Sequence, residues 1–373
     1  MTTFDRYLLK RFWHVFFVSF AAMVGLYVVI DAFEHVDDFF ENTDDSTLPV
    51  MWTIVRHYAF RISLFFDTIG DIVLLTAISV VLSLLLRCGE LNPILAAGIP
   101  TQRLVLPLLW GMVIVSAVLF ANKELVIPRI AGELQLQPGK NGHEGEYVES
   151  VCDFATKIDI SADRLVLAEN KLLHPVFVLP AQSIAEEFTS VSGAEAVFLP
   201  VQEGHPRSGW LIKQANRTIN DLHLTVTGRQ TISPGPAAGE LFIASDLGVD
   251  HMSIAEDAAN MFSIRQLIAK IESPSFDALS VRAFKLELHH RLTRPLLNIA
   301  QLFLILPLIV RREARGLVAS MLLAGLMQGV VFGVSQLALW LANSQRIDPD
   351  MAAWGPVIIA GTLAAWCWPI LRT

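Results

Sequence analysis

The 373-residue chain is 53% hydrophobic and only 17% charged, where an ordinary soluble protein carries about 25% charged residues. That balance excludes a disordered polypeptide and argues against a cytosolic enzyme. The 28 Lys and Arg against 36 Asp and Glu leave a net charge of −8, which speaks against a basic nucleic-acid-binding surface, and three scattered cysteines (Cys88, Cys152, Cys367) imply no disulfide framework.

The apolar residues are gathered in blocks. Phe12–Ile30 carries no Lys, Arg, Asp or Glu, and Ile62–Leu86 carries only Asp67 and Asp71. Leu104–Ala121, Pro295–Val310, Gly316–Ala342 and Met351–Leu371 are uncharged. Crossing a bilayer takes about 20 apolar residues as a helix, because lipid offers no water to the backbone. Six spans are predicted, the fourth lengthened by the amphipathic segment before it. The first block is followed by Asp31-Ala32-Phe33-Glu34 rather than a small-residue cleavage site, so it is predicted to remain as helix 1. Arg6, Lys10 and Arg11, then Arg87 and Arg103, then Arg311, Arg312 and Arg315, and finally Arg372 gather on one side of these spans. The positive-inside rule therefore predicts both termini in the cytoplasm.

The segment from about Asn122 to Arg294 then lies outside, with an ordinary soluble composition. Short runs such as Arg164–Ala168, Pro175–Leu179, Ala196–Leu199, Gly209–Ile212 and Leu222–Val226 read as strands of an antiparallel sandwich or roll. Ser233-Pro234-Gly235-Pro236 reads as a loop. Met261–Glu272 has helical periodicity, Ser273-Pro274 breaks it, and Phe276–Leu292 resumes the helix into span 4. The expected organisation is residues 1–121 for spans 1 to 3, 122–260 for the β domain, 261–294 for connecting helices and 295–373 for spans 4 to 6.

No catalytic signature is present: the chain has neither a GxxxxGK[ST] phosphate loop, nor a GxSxG elbow, nor HExxH. His289 and His290 are adjacent and point to different parts of a helix surface, which suits a solvated or headgroup-level pair better than a metal site. The loop Arg87–Arg103 reads as a short amphipathic helix over about 88–99, stopped by Gly98. Its apolar face suits either a groove on a cytoplasmic partner, with Glu90 as a charged contact, or an interfacial turn with no partner. Gly325, Gly329 and Gly333 form a stripe on span 5 where another helix can approach, within this chain or in a second subunit. Asp67 and Asp71, one turn apart on span 2, suit an interfacial pair or a proton relay.

The opening Phe4-Asp5-Arg6-Tyr7-Leu8-Leu9-Lys10-Arg11-Phe12, the Glu90-Leu91…Ala96-Ala97-Gly98-Ile99 loop and Glu287-Leu288-His289-His290-Arg291-Leu292-Thr293-Arg294-Pro295-Leu296 occur in that order. Together they resemble the LptF/LptG (YjgP/YjgQ) permease family over the whole chain. The resemblance implies an α-helical inner-membrane protein with six transmembrane helices and a periplasmic β-jellyroll domain inserted between helices 3 and 4. It implies the transmembrane half of an ABC transporter that extracts lipopolysaccharide. The implied partners are a second LptF/LptG-type subunit, an LptB-like cytoplasmic ATPase dimer and an LptC-like or other periplasmic jellyroll bridge. The chain itself would need no cofactor, ATP and Mg belonging to the ATPase. Glu90, Leu91, Ala97, Gly98 and Arg103 would couple to that ATPase, and the Gly325-Gly329-Gly333 face would line the subunit interface and lateral gate. The acidic end of helix 1 departs from the basic residues some family members carry there, so Arg56 and Arg61 are the nearest candidates for lipid headgroup contacts. Two other classes remain open on the residues alone: a proton-coupled secondary transporter using Asp67 and Asp71, and a membrane-anchored periplasmic adaptor.

Overall fold

A computed structural model describes residues 3–41, 47–90, 93, 102–135, 148, 150–166, 169–200, 207–237, 239–249, 252, 258–310 and 317–367. The chain divides into two compact units. The first comprises Met1–Val36, Val55–Pro128 and Lys285–Thr373, and the second Asp37–Ile54 and Arg129–Phe284.

The first unit is helical. Its elements are α1 (Thr3–Glu41), α2 (Thr47–Arg87), α3 (Gln102–Ala121), a π turn at Asn122–Val126, and α4 (Ile127–Gln135), of which the last lies largely in the other unit. The long α8 (Ala278–Val310), then α9 (Leu317–Asn343) and α10 (Pro349–Cys367), complete it. Six stretches are long and apolar enough to cross a membrane: Thr3–Glu34, Ile54–Arg87, Leu106–Ala131, Ala278–Ile309, Met321–Asn343 and Pro349–Cys367. Each contains most of a block expected from the sequence, and the fourth gains its length from the amphipathic segment before Pro295.

α2 lies at the centre. Leu74, Ile78, Leu82 and Leu85 are fully or almost fully buried against Leu8 and Phe12 of α1, Leu108 and Met112 of α3, and Leu302 and Leu306 of α8. Two glycines permit the close approach. A Cβ on Gly70 would meet Leu119 Cδ2 at 2.5 Å, and one on Gly111 would meet Phe12 Cε1 at 2.7 Å. In lipid, where no hydrophobic force drives helices together, such backbone proximity supplies the dispersion contact that holds them.

The second unit is built on two antiparallel sheets. The four-stranded sheet has the order β1-β2-β5-β6, from Val151–Asp153, Ile158–Ser161, Val176–Leu179 and Thr189–Ser192. The six-stranded sheet has the order β3-β4-β7-β8-β10-β9, from Arg164–Val166, Lys171–Leu173, Glu195–Leu199, Gly209–Lys213, Leu241–Ala244 and Ile232–Pro234. The chain passes from β4 in one sheet to β5 in the other through His174-Pro175, where His174 takes φ 48. Alternation decides the faces. Ile158 and Ile160, Phe177 and Leu179, and Trp210 and Ile212 point into one shared core. The inserted β domain between the third and fourth spans is thus present as expected.

Phe177 and Trp210 are fully buried in that core, and Phe198 packs on Trp210 with ring centroids 5.2 Å apart. These positions therefore build the domain's interior rather than an open surface.

Three local expectations are corrected. Leu222–Val226 is not a strand. Thr218 and Asp221 form a capping box around a 3-10 turn, and hydrogen bonds from Thr218 hold the Asp221 carboxyl below the usual carboxylate range. The Thr225 hydroxyl then accepts from Gly228 N–H at 3.1 Å and starts α5 (Val226–Thr231). The alternation still buries Leu222 and Leu224, so it was a true core signal with the wrong backbone. Ser233 and Pro234 end an edge strand, where a missing N–H costs no ladder bond. The helix expected over Met261–Glu272 is split into α6 (Ala258–Met261) and α7 (Ile264–Glu272), because Ser263 and Gln266 make a capping box between them.

Candidate functional site

Three places in the helical unit are candidates for function: the turn at the end of α2, a buried charge network at the opposite end of the same helix, and the outer face of α9.

α2 ends in a Schellman motif. Gly89 sits in the left-handed region at φ 67, Gly89 N–H donates to Leu86 O at 3.0 Å, and Glu90 N–H donates to Leu85 O at 3.2 Å. Cys88 and Gly89 therefore close α2 rather than open the next helix. The motif delivers Glu90 to a fixed place against α1. Tyr7 Oη donates to Glu90 at 3.1 and 3.3 Å to the two carboxylate oxygens, and Arg11 Nη1 lies 3.4 Å from Glu90 Oε2. Leu91, Ala97 and Gly98 lie outside the described residues. Arg103 is in the first turn of α3. None of the described residues lies within 4 Å of a Cβ built on Gly89, so Gly89→Ala is expected to cost the left-handed backbone strain, roughly 1–2 kcal/mol, read as a lowered unfolding temperature of the purified chain. An unchanged unfolding temperature would show that the motif does not hold the turn.

The charge network joins three helices. Arg294 on α8 reaches both carboxylates of α2. Its Nη1 is 2.9 Å from Asp67 Oδ1, its Nε pairs with Asp71, and its Nη2 donates to the Asp67 carbonyl. Asn298, one turn on, donates to Asp71 Oδ1 at 2.7 Å. Lys123 enters from the π turn after α3, 3.0 Å from Asp67 and 3.5 Å from Glu287. Arg291 donates to Glu287 at 2.7 Å and lies 3.9 Å from Glu124. The extra residue of a π turn re-aims the side chains that follow α3, and Asn122 and Ser63 fasten the turn to α2 through bonds of 2.7 and 2.9 Å. Asp67, Lys123 and Arg291 are all nearly buried, so their charges are matched to each other rather than to solvent. Gln328 also ties α9 to α2: its Nε2 donates to Ile72 O at 3.1 Å and its Oε1 accepts from Thr76 Oγ1 at 3.5 Å. His289 of the adjacent pair lies 2.9 Å from Asp350 on α10.

Asp67 and Asp71 were conspicuous in the sequence, but their partners were not. Arg294 is 227 residues away from Asp67, and Lys123 falls just past the uncharged run that marks span 3. The placement of a charged pair at Lys123-Glu124, inside a span that continues to Ala131, was the available signal.

The third span-5 feature lies elsewhere. Gly325, Gly329 and Gly333 are exposed, with none of the described residues within 4 Å of an added Cβ. They contrast with Gly70 and Gly111, which the chain's own helices fill. Leu322, Leu326, Val330 and Leu337 on the same helix are also more than half exposed. Arg56 is exposed on the first turns of α2, with its guanidinium 5.8 Å from the Phe60 ring centroid, and Arg61 is partly buried one turn and a half later. Among the described residues no cluster of His, Cys, Asp and Glu is placed to hold a metal ion.

A family model described as lipopolysaccharide export system permease LptF/LptG matches residues 6–137 and 169–369. The match takes in both groups of three helices and most of the β domain between them. Among curated proteins the comparison finds no match.

Proposed function

The chain belongs to the LptF/LptG family of lipopolysaccharide export permeases, and from that premise we propose that it is one of two paired membrane subunits that lift lipopolysaccharide out of the inner membrane with work supplied by a cytoplasmic ATPase. Both termini lie on the ATPase side, and the β domain stands in the periplasm, where it passes lipid to a jellyroll bridge of the LptC kind. The driving problem is physical. Each fatty methylene drawn into water costs roughly 0.8 kcal/mol, so extraction needs an energy source and a shielded route. ATP and its Mg belong to the partner, consistent with a chain whose sequence has no phosphate loop. Glu90 and the loop after it dock the ATPase, and Arg56 and Arg61 are the headgroup-level cations.

The observation that carries the pairing is the open glycine face of α9. In a bilayer a groove of glycines lined by exposed leucines and valines receives another helix, and none of the described helices of this chain enters it. The second subunit is the occupant proposed. Affinity purification from detergent is expected to recover a P-loop ATPase and a second six-span chain. Changing Gly329 and Gly333 together to Leu overfills the contact at roughly 1–3 kcal/mol, enough to lower recovery of the second subunit by about fivefold or more. The chain's own fold is unaffected, because both sites face open space within it. Full recovery of the partner by the double variant would remove α9 from the interface. Recovery of neither companion by the natural protein would sink the whole reading.

Proton-coupled transport through Asp67 and Asp71 draws no support from the geometry. Both carboxylates are committed to Arg294, and Asp67 also to Lys123.

A further inference from the structure

The geometry points to Tyr7 and Arg11 as positioning residues for Glu90, so that a partner seated on this carboxylate moves α1 as well as the loop after α2. The inference rests on the docking role proposed above for Glu90.

Tyr7 and Arg11 are one helical turn apart, and so share a face of α1. Arg11 Nη1 donates to Tyr7 Oη at 2.8 Å, and the Tyr7 hydroxyl in turn donates a hydrogen bond to Glu90 at 3.1 Å. Arg11 also approaches Glu90 directly at 3.4 Å, and its Nη2 lies 3.8 Å from Cys88 Sγ. The hydroxyl therefore spends its donor on Glu90 and accepts from Arg11, while the guanidinium grips the end of α2 on both sides of Gly89. The Glu90 side chain remains 35% exposed. A carboxylate has about four lone-pair positions, and this clamp leaves room for a cation from a partner. Docking and clamping are thus compatible, and the same group links the two.

α1 suits the role of a lever. Leu8, Phe12 and Phe16 are buried in the helical core beside the clamp, whereas Phe17, Leu26, Ile30 and Phe33 are exposed along the rest of the helix. Twenty-two residues separate Arg11 from Phe33, about 33 Å of helix at 1.5 Å per residue. A small tilt imposed at Glu90 becomes a larger displacement of the exposed stretch. A partly exposed ion pair of this kind is worth about 1 kcal/mol, so its value lies in position rather than in stability.

The test uses the full complex in proteoliposomes, measuring ATPase recovery, ATP hydrolysis and lipopolysaccharide released. Arg11→Gln is expected to keep its ATPase but to release about fivefold less lipid per ATP hydrolysed, and Arg11→Lys to recover most of that. Tyr7→Phe, which keeps the ring and its packing, loses about threefold. The double variant Arg11→Gln with Glu90→Gln is expected to be no worse than Glu90→Gln alone, because Arg11 acts through that carboxylate. Normal lipid yield in Arg11→Gln and Tyr7→Phe beside a defective Glu90→Gln overturns the clamp and leaves the docking role standing. Defects of Arg11→Gln and Glu90→Gln that multiply in the double variant also overturn the clamp. A Glu90→Gln protein with normal ATPase recovery and normal yield overturns both.

Discussion

Arg294→Leu is expected to destabilise the helical unit by roughly 3 kcal/mol or more, the usual cost of removing one partner from a buried ion pair. The reason is the arithmetic of the site. Arg294 is the cation that Asp67 and Asp71 share, and removing it leaves Asp71 with Asn298 and Asp67 with Lys123, a lysine already divided between Asp67 and Glu287. Arg294→Lys should recover part of the loss only, because one ammonium cannot reproduce the guanidinium's simultaneous reach to two side chains and a carbonyl. Adding Asp71→Asn to Arg294→Leu should restore part of the stability, since it neutralises the carboxylate left facing Asn298 while Asp67 keeps Lys123. Unfolding of the purified chain in detergent measures each step. A loss in Arg294→Leu within about 0.5 kcal/mol of zero, the range of ordinary surface changes, would show that the network is solvated and unimportant to the fold. The same series weighs against proton coupling. On that mechanism Asp67→Asn removes transport without touching stability, whereas here it removes an ion pair and lowers both.

The network also shows why local reading stopped where it did. Six spans were legible because a membrane helix announces itself by unbroken apolar length. The strands at Val176–Leu179 and Gly209–Lys213 were legible because alternation and sheet pleat share a period of two. The failure at Leu222–Val226 follows from the same rule: a buried pair at alternate positions is satisfied equally by a strand and by an extended turn, and the two caps at Asp221 and Thr225 decided for the turn. Asp67 and Asp71 were visible as costly charges, yet nothing near them in sequence names their partners. Arg11 and Tyr7 stand in the N-terminal stretch Phe4–Phe12, but their meeting with Glu90 depends on the Schellman turn at Gly89. The glycine stripe could be read as a groove from spacing alone, while its orientation away from the chain's own helices required the packing of α2 and α3 to be known. Leu91, Ala97 and Gly98 fall outside the described residues.

Trp210→Ala in the β domain is expected to cost about 3–5 kcal/mol. Trp210 is fully buried, edge-on to Phe198, and its indole N–H donates to Leu247 O at 2.9 Å. It stands on β8, which pairs with both β7 and β10, so the hole would open between the two central strand pairs of the six-stranded sheet. The change removes a large apolar surface, leaves the Leu247 carbonyl without that donor, and creates a cavity that rigid sheets close poorly. Trp210→Phe refills most of the volume and should cost clearly less. Hydrogen exchange at the amides of β7, β8 and β10 in the full chain reads the effect inside the domain itself, where faster exchange in the Ala variant is expected. The outcome bears on how lipid travels. A Trp that lined a vacant passage would have little packing to lose, and its removal would leave exchange unchanged while altering lipid transfer. A large loss of protection instead means that these inward residues are the solid interior of the domain, and that any route for an acyl chain must run along other faces or open only when the strands part.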